Sequence, residues 1–233
     1  MSPSKSTYHS RLYRDFMSID PKSYREQIRF YEKHESKIRH LSEVEHFDLL
    51  VTYVDALFEI GAYRKHLLLI DHVIEGAITH NVEEYKGQDL FRSALFKKAA
   101  SLHNTHQFKK ADIILRQLVR MNPHDNIPIR FLKKCIRRCR PGLLNAFRAT
   151  SVFLFFLAAL VIAMEVLFVR PFYHMHTGLI ENSRNSLFLL GCLVLVGGFL
   201  YNRWLAEKEV EGLVRKIRRR KQKEEEQGEP LHV

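Results

Sequence analysis

The segment SVFLFFLAALVIAMEVLFV, residues 151–169, decides the fold of this 233-residue chain, and SLFLLGCLVLVGGFLYNRW, residues 186–204, has the same character. Apolar side chains surround a helix drawn through either segment, whereas a surface helix of a soluble protein carries one apolar stripe. At about 1.5 Å per residue, about 20 residues cross a bilayer core of roughly 30 Å. Two buried helices of a globular fold are the alternative. We predict transmembrane helices at about 149–169 and 186–205, forming a hairpin within residues 141–205.

Basic residues set the expected orientation of this hairpin. Seven lie between residues 130 and 148 and nine between residues 203 and 223, but the connecting loop contains only Arg170 and Arg184. Because segments rich in Lys and Arg stay on the cytoplasmic side, we expect both termini in the cytoplasm. The N-terminal residues are polar and rich in serine, so we expect no secretory signal there. A bacterial inner membrane is the simplest host, and a eukaryotic internal membrane fits the same counts.

Most of the net charge of +11 lies next to the predicted spans. Residues 126–140 predict an amphipathic helix that caps the preceding helices, lies on anionic lipid, or does both. The basic tail, residues 206–233, predicts a helix that suits the same lipids, with a solvated flank as the alternative. The expected membrane-surface residues are Arg130, Lys133, Lys134, Arg137, Arg138, Arg140, Arg215, Lys216, Arg218, Arg219 and Arg220. Because no aromatic residues interleave the C-terminal cluster, nucleic acid is a disfavoured partner.

Residues 20–140 predict an all-α module, because apolar residues recur there at three- and four-residue intervals without sustained alternation. The clearest helix begins at the capping pair Ser42 and Glu45 and ends at Gly61. Short turns between successive helices imply antiparallel neighbours, and pairs of such helices stack because no pair covers its own apolar face. Residues 1–19 lack a strong helical pattern and are expected to form a flexible arm.

One helix pair carries a family pattern of small, large and aromatic residues, formed by Ala99, Leu102, Phe108, Ala111, Leu115, Leu118 and Pro123. Residues 87–122 thereby resemble the tetratricopeptide repeat of about 34 residues, except at Leu115 and Leu118, where the family prefers an aromatic and a smaller residue. The pair at 42–80 resembles it more weakly, since His66 replaces the usual alanine and the turns lie 45 residues apart. The resemblance implies a right-handed solenoid of helix pairs that binds proteins or peptides.

The family's concave surface is lined by the first helix of each pair. If these positions carry over, the partner-binding candidates are Asp48, Val51, Asp55 and Phe58 in the first pair and Ser93, Phe96, Ala100 and His103 in the second. Val51, Phe58 and Phe96 equally suit a hydrophobic core.

Motifs that carry chemistry are scarce. The sequence has no glycine-rich phosphate loop, GxSxG or HExxH pattern, so we expect neither an enzyme nor a cofactor. Three cysteines make no disulfide framework, and His174 and His176 lack further ligands, so we expect no metal. Glu165 is an intramembrane polar residue for which an interfacial place is favoured over ion movement. Gly191 and Gly198 favour close packing within the hairpin.

Together these features predict a membrane-anchored cytoplasmic adaptor or scaffold. The helical module would bind a protein or peptide partner, and the hairpin would hold it at a membrane with anionic lipids, which raises the local concentration of whatever is bound. The alternative is a structural subunit of a multi-protein membrane assembly for secretion, motility or transport, in which the hairpin packs on other spans. The oligomeric state is left open.

Overall fold

The computed structural model describes residues 10–82, 84–85, 87–139, 141–164, 166–167 and 177–228, without the side chains of residues 141, 143, 144, 177–181, 183, 184 and 224–228. The regular secondary structure of these residues is helical apart from one short ladder, which confirms the all-α prediction. The helices are α1 (Arg11–Met17), α2 (Tyr24–Ile38), α3 (Glu43–Glu59), α4 (Tyr63–Thr79), α5 (Leu90–Asn104), α6 (Phe108–Met121), α7 (Asn126–Cys139), α8 (Pro141–Met164) and α9 (Thr177–Gly228). The antiparallel ladder pairs β1 (Glu84–Tyr85) with β2 (Gln88–Asp89).

The chain divides into two compact units, Met1–Asn122 and Pro123–Val233. In the first unit, each of the helices α2 to α5 packs on the next one in the chain. The helix α3 is the most enclosed of them, because it contacts α1, α2 and α4, and Leu49, Val54 and Leu57 are at most 1% exposed. Apolar residues therefore occupy most of its circumference rather than a single stripe.

Residues 1–19 were predicted to form a flexible arm. This prediction is wrong for the residues that form the helix α1. The Ser10 amide donates a hydrogen bond to a carboxylate oxygen of Glu45 at 2.7 Å, which ties the start of α1 to α3. Phe16 is 2% exposed and packs edge-on against the ring of Phe30. A helix of seven residues is too short to show a clear period or to be stable alone, so tertiary contacts form it rather than helix propensity.

The turn between α3 and α4 has the same backbone conformation as the turn between α5 and α6. Gly61 has a φ of +79° and His106 has a φ of +62°, so each turn contains one left-handed residue. In each turn the amide that follows this residue donates to the carbonyl five residues back, at 2.9 Å in the first turn and 2.8 Å in the second. This is the Schellman ending of a helix, for which glycine is the favoured left-handed residue.

Replacing His106 by glycine is expected to give a chain that is more stable than His106→Ala by about 1 kcal/mol, because both variants lack the ring but only alanine keeps a β-carbon at positive φ. Urea unfolding of the full chain in detergent, followed by circular dichroism, measures the difference. Equal stability of the two variants would contradict the assignment of strain to this position.

The second unit contains the two candidate spans, α8 and α9. These helices are long and apolar enough to cross a membrane over Asn145–Met164 and within Asn185–Lys223. They meet along a seam in which a β-carbon added to Gly191 would lie 2.8 Å from the Phe155 ring, and one added to Gly198 would lie 2.5 Å from Phe147. The expected close packing within the hairpin is therefore confirmed, because only glycine lets these rings reach the α9 backbone.

Replacing Gly198 by leucine is expected to destabilise the hairpin by about 1–3 kcal/mol through overpacking against Phe147. Gly197→Leu is the matched control, since a β-carbon there meets no atom within 4 Å. The single tryptophan, Trp204, reports unfolding by its fluorescence during a titration with sodium dodecyl sulfate. Similar losses of stability in both variants would show that the contact with Phe147 is not the cause.

The helix α9 continues for 52 residues, so the second apolar segment and the basic tail form one helix. Its distal part buries Ala206, Val210 and Val214, at intervals of four residues, and packs on α7. The sequence predicted a tail that lies on lipid or is solvated, and a helix at residues 126–140 that caps the preceding helices, lies on lipid, or does both. The tail is partly covered, because Val210 and Val214 are buried and line a recess together with Ile129 of α7. The helix α7 belongs to the second unit, and its role as a cap stays a prediction.

Candidate functional site

Asp48 of α3 joins three elements of the first unit. Its carboxylate accepts hydrogen bonds from the hydroxyls of Tyr13 in α1 and Tyr85 in β1. Thr52 Oγ1 lies 3.1 Å from the Tyr85 hydroxyl oxygen. Burial, and after it the hydrogen bond to Asp48, raises the pKa of both tyrosines, so that their hydroxyls stay protonated and donate. This predicted groove residue therefore serves the protein's own packing.

A recess of about 190 Å³, here called the inner recess, is lined in part by Tyr85, the hydrogen-bond partner of Asp48. Asp55 of α3 and Ser93 and Lys97 of α5 line it together with Tyr85. Lys97 Nζ lies 2.7 Å from Asp55 Oδ1, and both side chains are partly exposed. Two predicted partner-binding residues, Asp55 and Ser93, thus come together although they belong to different helices.

The other predicted partner-binding residues divide between surface and core. Val51 is 1% exposed and His103 is 9% exposed, which corrects their assignment to a groove, because a buried side chain has little surface to offer a partner. Phe58 is half-buried, with its ring against the rings of two neighbouring residues. Phe96 and Ala100 are half-buried on α5.

A larger recess of about 610 Å³, here called the outer recess, opens between α2, α3 and α4 and was not predicted from the sequence. Tyr31 and Tyr53 stack in its wall with ring centroids 4.1 Å apart and planes within 4°. Phe47 also lines it and covers Gly76, where an added β-carbon would lie 2.3 Å from the ring. The glycine in the middle of α4 was the sequence signal for this close approach.

Titratable side chains surround the outer recess: the carboxylates of Glu32, Glu35 and Glu43, the guanidinium of Arg39, and the imidazoles of His46, His72 and His80. Burial, with a smaller contribution from Arg39, lowers the pKa of His46 and favours its neutral form. Burial also raises the pKa of Tyr31. The recess therefore combines an aromatic wall with a rim of mixed charge.

Metal binding was not expected, and within the described residues no group of three or more His, Cys, Asp or Glu side chains could hold an ion. Three residues weighed for metal binding or ion movement, Glu165, His174 and His176, lie outside the described residues. Arg140, one of the expected membrane-surface residues, also lies outside them.

The other expected membrane-surface residues lie on two helices that pack together. Arg130, Lys133, Lys134, Arg137 and Arg138 are on α7, and Arg215, Lys216, Arg218, Arg219 and Arg220 are on α9. Lys133 Nζ lies 3.1 Å from Glu211 Oε1, although the residues are 78 positions apart. The Arg218 guanidinium donates to the Pro123 carbonyl at 2.9 and 3.2 Å. The two basic segments, which are far apart in the sequence, thus form one basic helix pair.

An aromatic cluster marks the basic end of the apolar segments. The Tyr201 ring lies 6.2 Å from the Phe147 ring and 6.1 Å from the Trp204 ring, measured between centroids. Lys208 Nζ lies 4.1 Å from the Trp204 ring centroid. Tyrosine and tryptophan beside a cation at the end of an apolar segment are typical of the lipid headgroup level.

Comparison with protein-family models, with curated proteins and with solved structures finds no match to this chain. What bears on its function is therefore the geometry of its own residues. The resemblance to the tetratricopeptide repeat remains a proposal.

Proposed function

We propose that this chain is a membrane-anchored adaptor. The tetratricopeptide-like first unit binds a protein or peptide, and α8 and α9 hold it at a membrane with both termini in the cytoplasm. The inner recess carries the proposal, because α3 and α5 are the first helices of successive pairs and contribute Asp55, Ser93 and Lys97 to one surface. A surface shared by successive repeats is what solenoid proteins use to bind extended partners.

The residues of the inner recess suit the recognition of a peptide. The Asp55 carboxylate and the Lys97 ammonium offer both charges, and their side chains are 40% and 21% exposed. The hydroxyls of Tyr85 and Ser93 add neutral polar groups. Such a set can exchange its internal ion pair for contacts with a partner's charged side chains.

The second unit supports the anchoring part of the proposal. The apolar segments of α8 and α9 are long enough to cross the hydrocarbon core of a bilayer. The aromatic cluster of Phe147, Tyr201 and Trp204 lies where these segments end. Basic residues at the membrane end of α7, such as Arg137 and Arg138, would each gain about 1 kcal/mol from anionic lipid. Gly191 and Gly198 already pack on Phe155 and Phe147, so they give no support to the alternative in which the hairpin packs on other proteins.

A photo-reactive residue at Ser93 is expected to form one specific crosslinked product in the native membrane, because Ser93 lines the inner recess. The matched control is the same residue at Leu68 of α4, which is 74% exposed and does not line that recess. Mass spectrometry identifies the captured protein. The same product from both positions, or none from Ser93, would contradict partner binding at this surface.

The orientation is tested by tags at both ends of the full chain. We expect both tags to be reached by protease only after the cytoplasmic side of sealed vesicles is exposed, because the basic residues flank the spans on that side. A tag that is cleaved from the opposite side would overturn the proposed topology without touching the assignment of the inner recess.

A further inference from the structure

A third recess, of about 490 Å³ and here called the stalk cleft, lies between α7 and the distal part of α9. Its lining includes four cationic side chains, those of Lys133, Arg215, Arg218 and Arg219, and one carboxylate, that of Glu211. Apolar lining comes from Ile129, Val210 and Val214. The volume is in the range of small-molecule sites, and the lining carries a formal excess of positive charge.

The charged groups of the stalk cleft are partly organised by the protein. Glu211 is paired with Lys133, and the Arg218 guanidinium is held by two hydrogen bonds to the Pro123 carbonyl. Arg215 and Arg219 are one helical turn apart, and among the described side chains neither has a carboxylate within 4.0 Å. Their guanidinium groups keep their donors available, and this planar fork matches the oxygens of a phosphate.

We propose that the stalk cleft binds a small, soluble anion that carries several phosphate groups. Three arginines in one recess suit more than one phosphate, and the single carboxylate there is already neutralised by Lys133. This assignment goes beyond the adaptor function and does not depend on the inner recess.

A soluble source fits the position of the cleft better than the phosphates of the bilayer. Arg215 and Arg219 follow Trp204 by 11 and 15 residues in one unbroken helix. At about 1.5 Å per residue they lie about 17 and 23 Å beyond the aromatic cluster along the helix axis. That exceeds the Debye length of about 8 Å at physiological ionic strength. Only this choice of source rests on the proposed membrane anchoring.

The test is calorimetric titration of inorganic tripolyphosphate into the full chain, held in nanodiscs of phosphatidylcholine. We expect saturable binding that Arg215→Gln with Arg219→Gln weakens at least about tenfold, because both forks are lost. The matched control is Lys216→Gln with Arg220→Gln, which removes the same charge at the same spacing from exposed residues outside the cleft. Its affinity is expected to stay within about threefold of the wild type.

Two further arms decide between the explanations. Arg215→Lys with Arg219→Lys keeps the charge without the fork and is expected to recover only part of the affinity. In nanodiscs that contain phosphatidylserine, binding is expected to be unchanged; its loss there would show that lipid headgroups occupy the cleft and would overturn the soluble source. Equal losses in the cleft and control pairs, or no binding to the wild type, would overturn the site. All variants are compared with the wild type by circular dichroism, so that a folding defect is recognised.

Discussion

Lowering the pH from 6.5 to 4 is expected to destabilise the first unit by roughly 3 kcal/mol through the single residue His66. This histidine is 0% exposed, and its Nδ1 lies 2.9 Å from the Ser101 hydroxyl oxygen. Burial, and after it the charge of Lys97, lowers its pKa to about 4. Among the described residues its Nε2 has no hydrogen-bond partner, so in the charged ring the Nε2 hydrogen would be a buried donor without an acceptor.

The direction follows from proton uptake. Below pH 6.5 the unfolded chain binds a proton at His66, while the folded chain does so only near pH 4. The unfolded state is therefore favoured progressively as the pH falls through this window, by about 1.4 kcal/mol per pH unit. Above pH 7 both states are neutral at this site, and the effect is absent.

Hydrogen exchange of peptides from α4 and α5, measured in the full chain in detergent at several pH values, isolates this effect when wild type and His66→Gln are compared. Glutamine is polar and does not titrate, so the variant is expected to lose most of the additional acid sensitivity. The control is His40→Gln, a change at an exposed histidine, which should keep the acid sensitivity of the wild type. Identical pH dependence in wild type and His66→Gln would exclude His66 as the cause.

Replacing Asp48 by alanine is expected to lower the free energy of unfolding of the first unit by about 3 kcal/mol, because two tyrosine hydroxyls lose a charged acceptor. The loss should appear first as faster hydrogen exchange in α1 and in the β1–β2 ladder, which carry Tyr13 and Tyr85. Urea unfolding measures the total loss.

Two controls separate this role from partner binding. Asp48→Asn keeps an acceptor and is expected to lose less stability than Asp48→Ala. Asp55→Ala removes a partly exposed ion pair with Lys97, which is worth at most about 1 kcal/mol to folding, but it also alters the inner recess. Asp55→Ala should therefore reduce partner binding with little loss of stability. If Asp48→Ala is as stable as the wild type, the hydrogen bonds to Asp48 do not tie these elements together.

The helices and turns that local patterns encode were predictable from the sequence. The capping pair Ser42 and Glu45 and the stop at Gly61 correctly indicated α3, whose bounds are Glu43–Glu59. The correspondence of the turns at Gly61 and His106 also holds in the backbone. In both cases the signal lies within one or two helical turns, where capping and left-handed residues act.

Features that depend on distant pairs were not predictable in the same way. The helix α1 exists through contacts of Ser10 and Phe16 with other helices. Asp48 could face a partner or the chain's own tyrosines, and the positions of residues 13 and 85 in the fold decide between the two. The local periodicity of apolar residues does not reveal these positions. The same holds for the outer recess, which Tyr31, Tyr53 and Gly76 form from three separate helices.

The sequence by itself determined the all-α class, the two apolar segments and the asymmetry of charge around them, because each follows from residue composition and short-range periodicity. Only the tertiary structure decided that α7 packs on the distal part of α9, that Val51 is core, and that the basic segments share one cleft. An apolar stripe shows that one face of a helix must be buried against another element. It does not show which element, because several helices of one chain carry such a stripe. The choice among them is made by the packing of the whole unit.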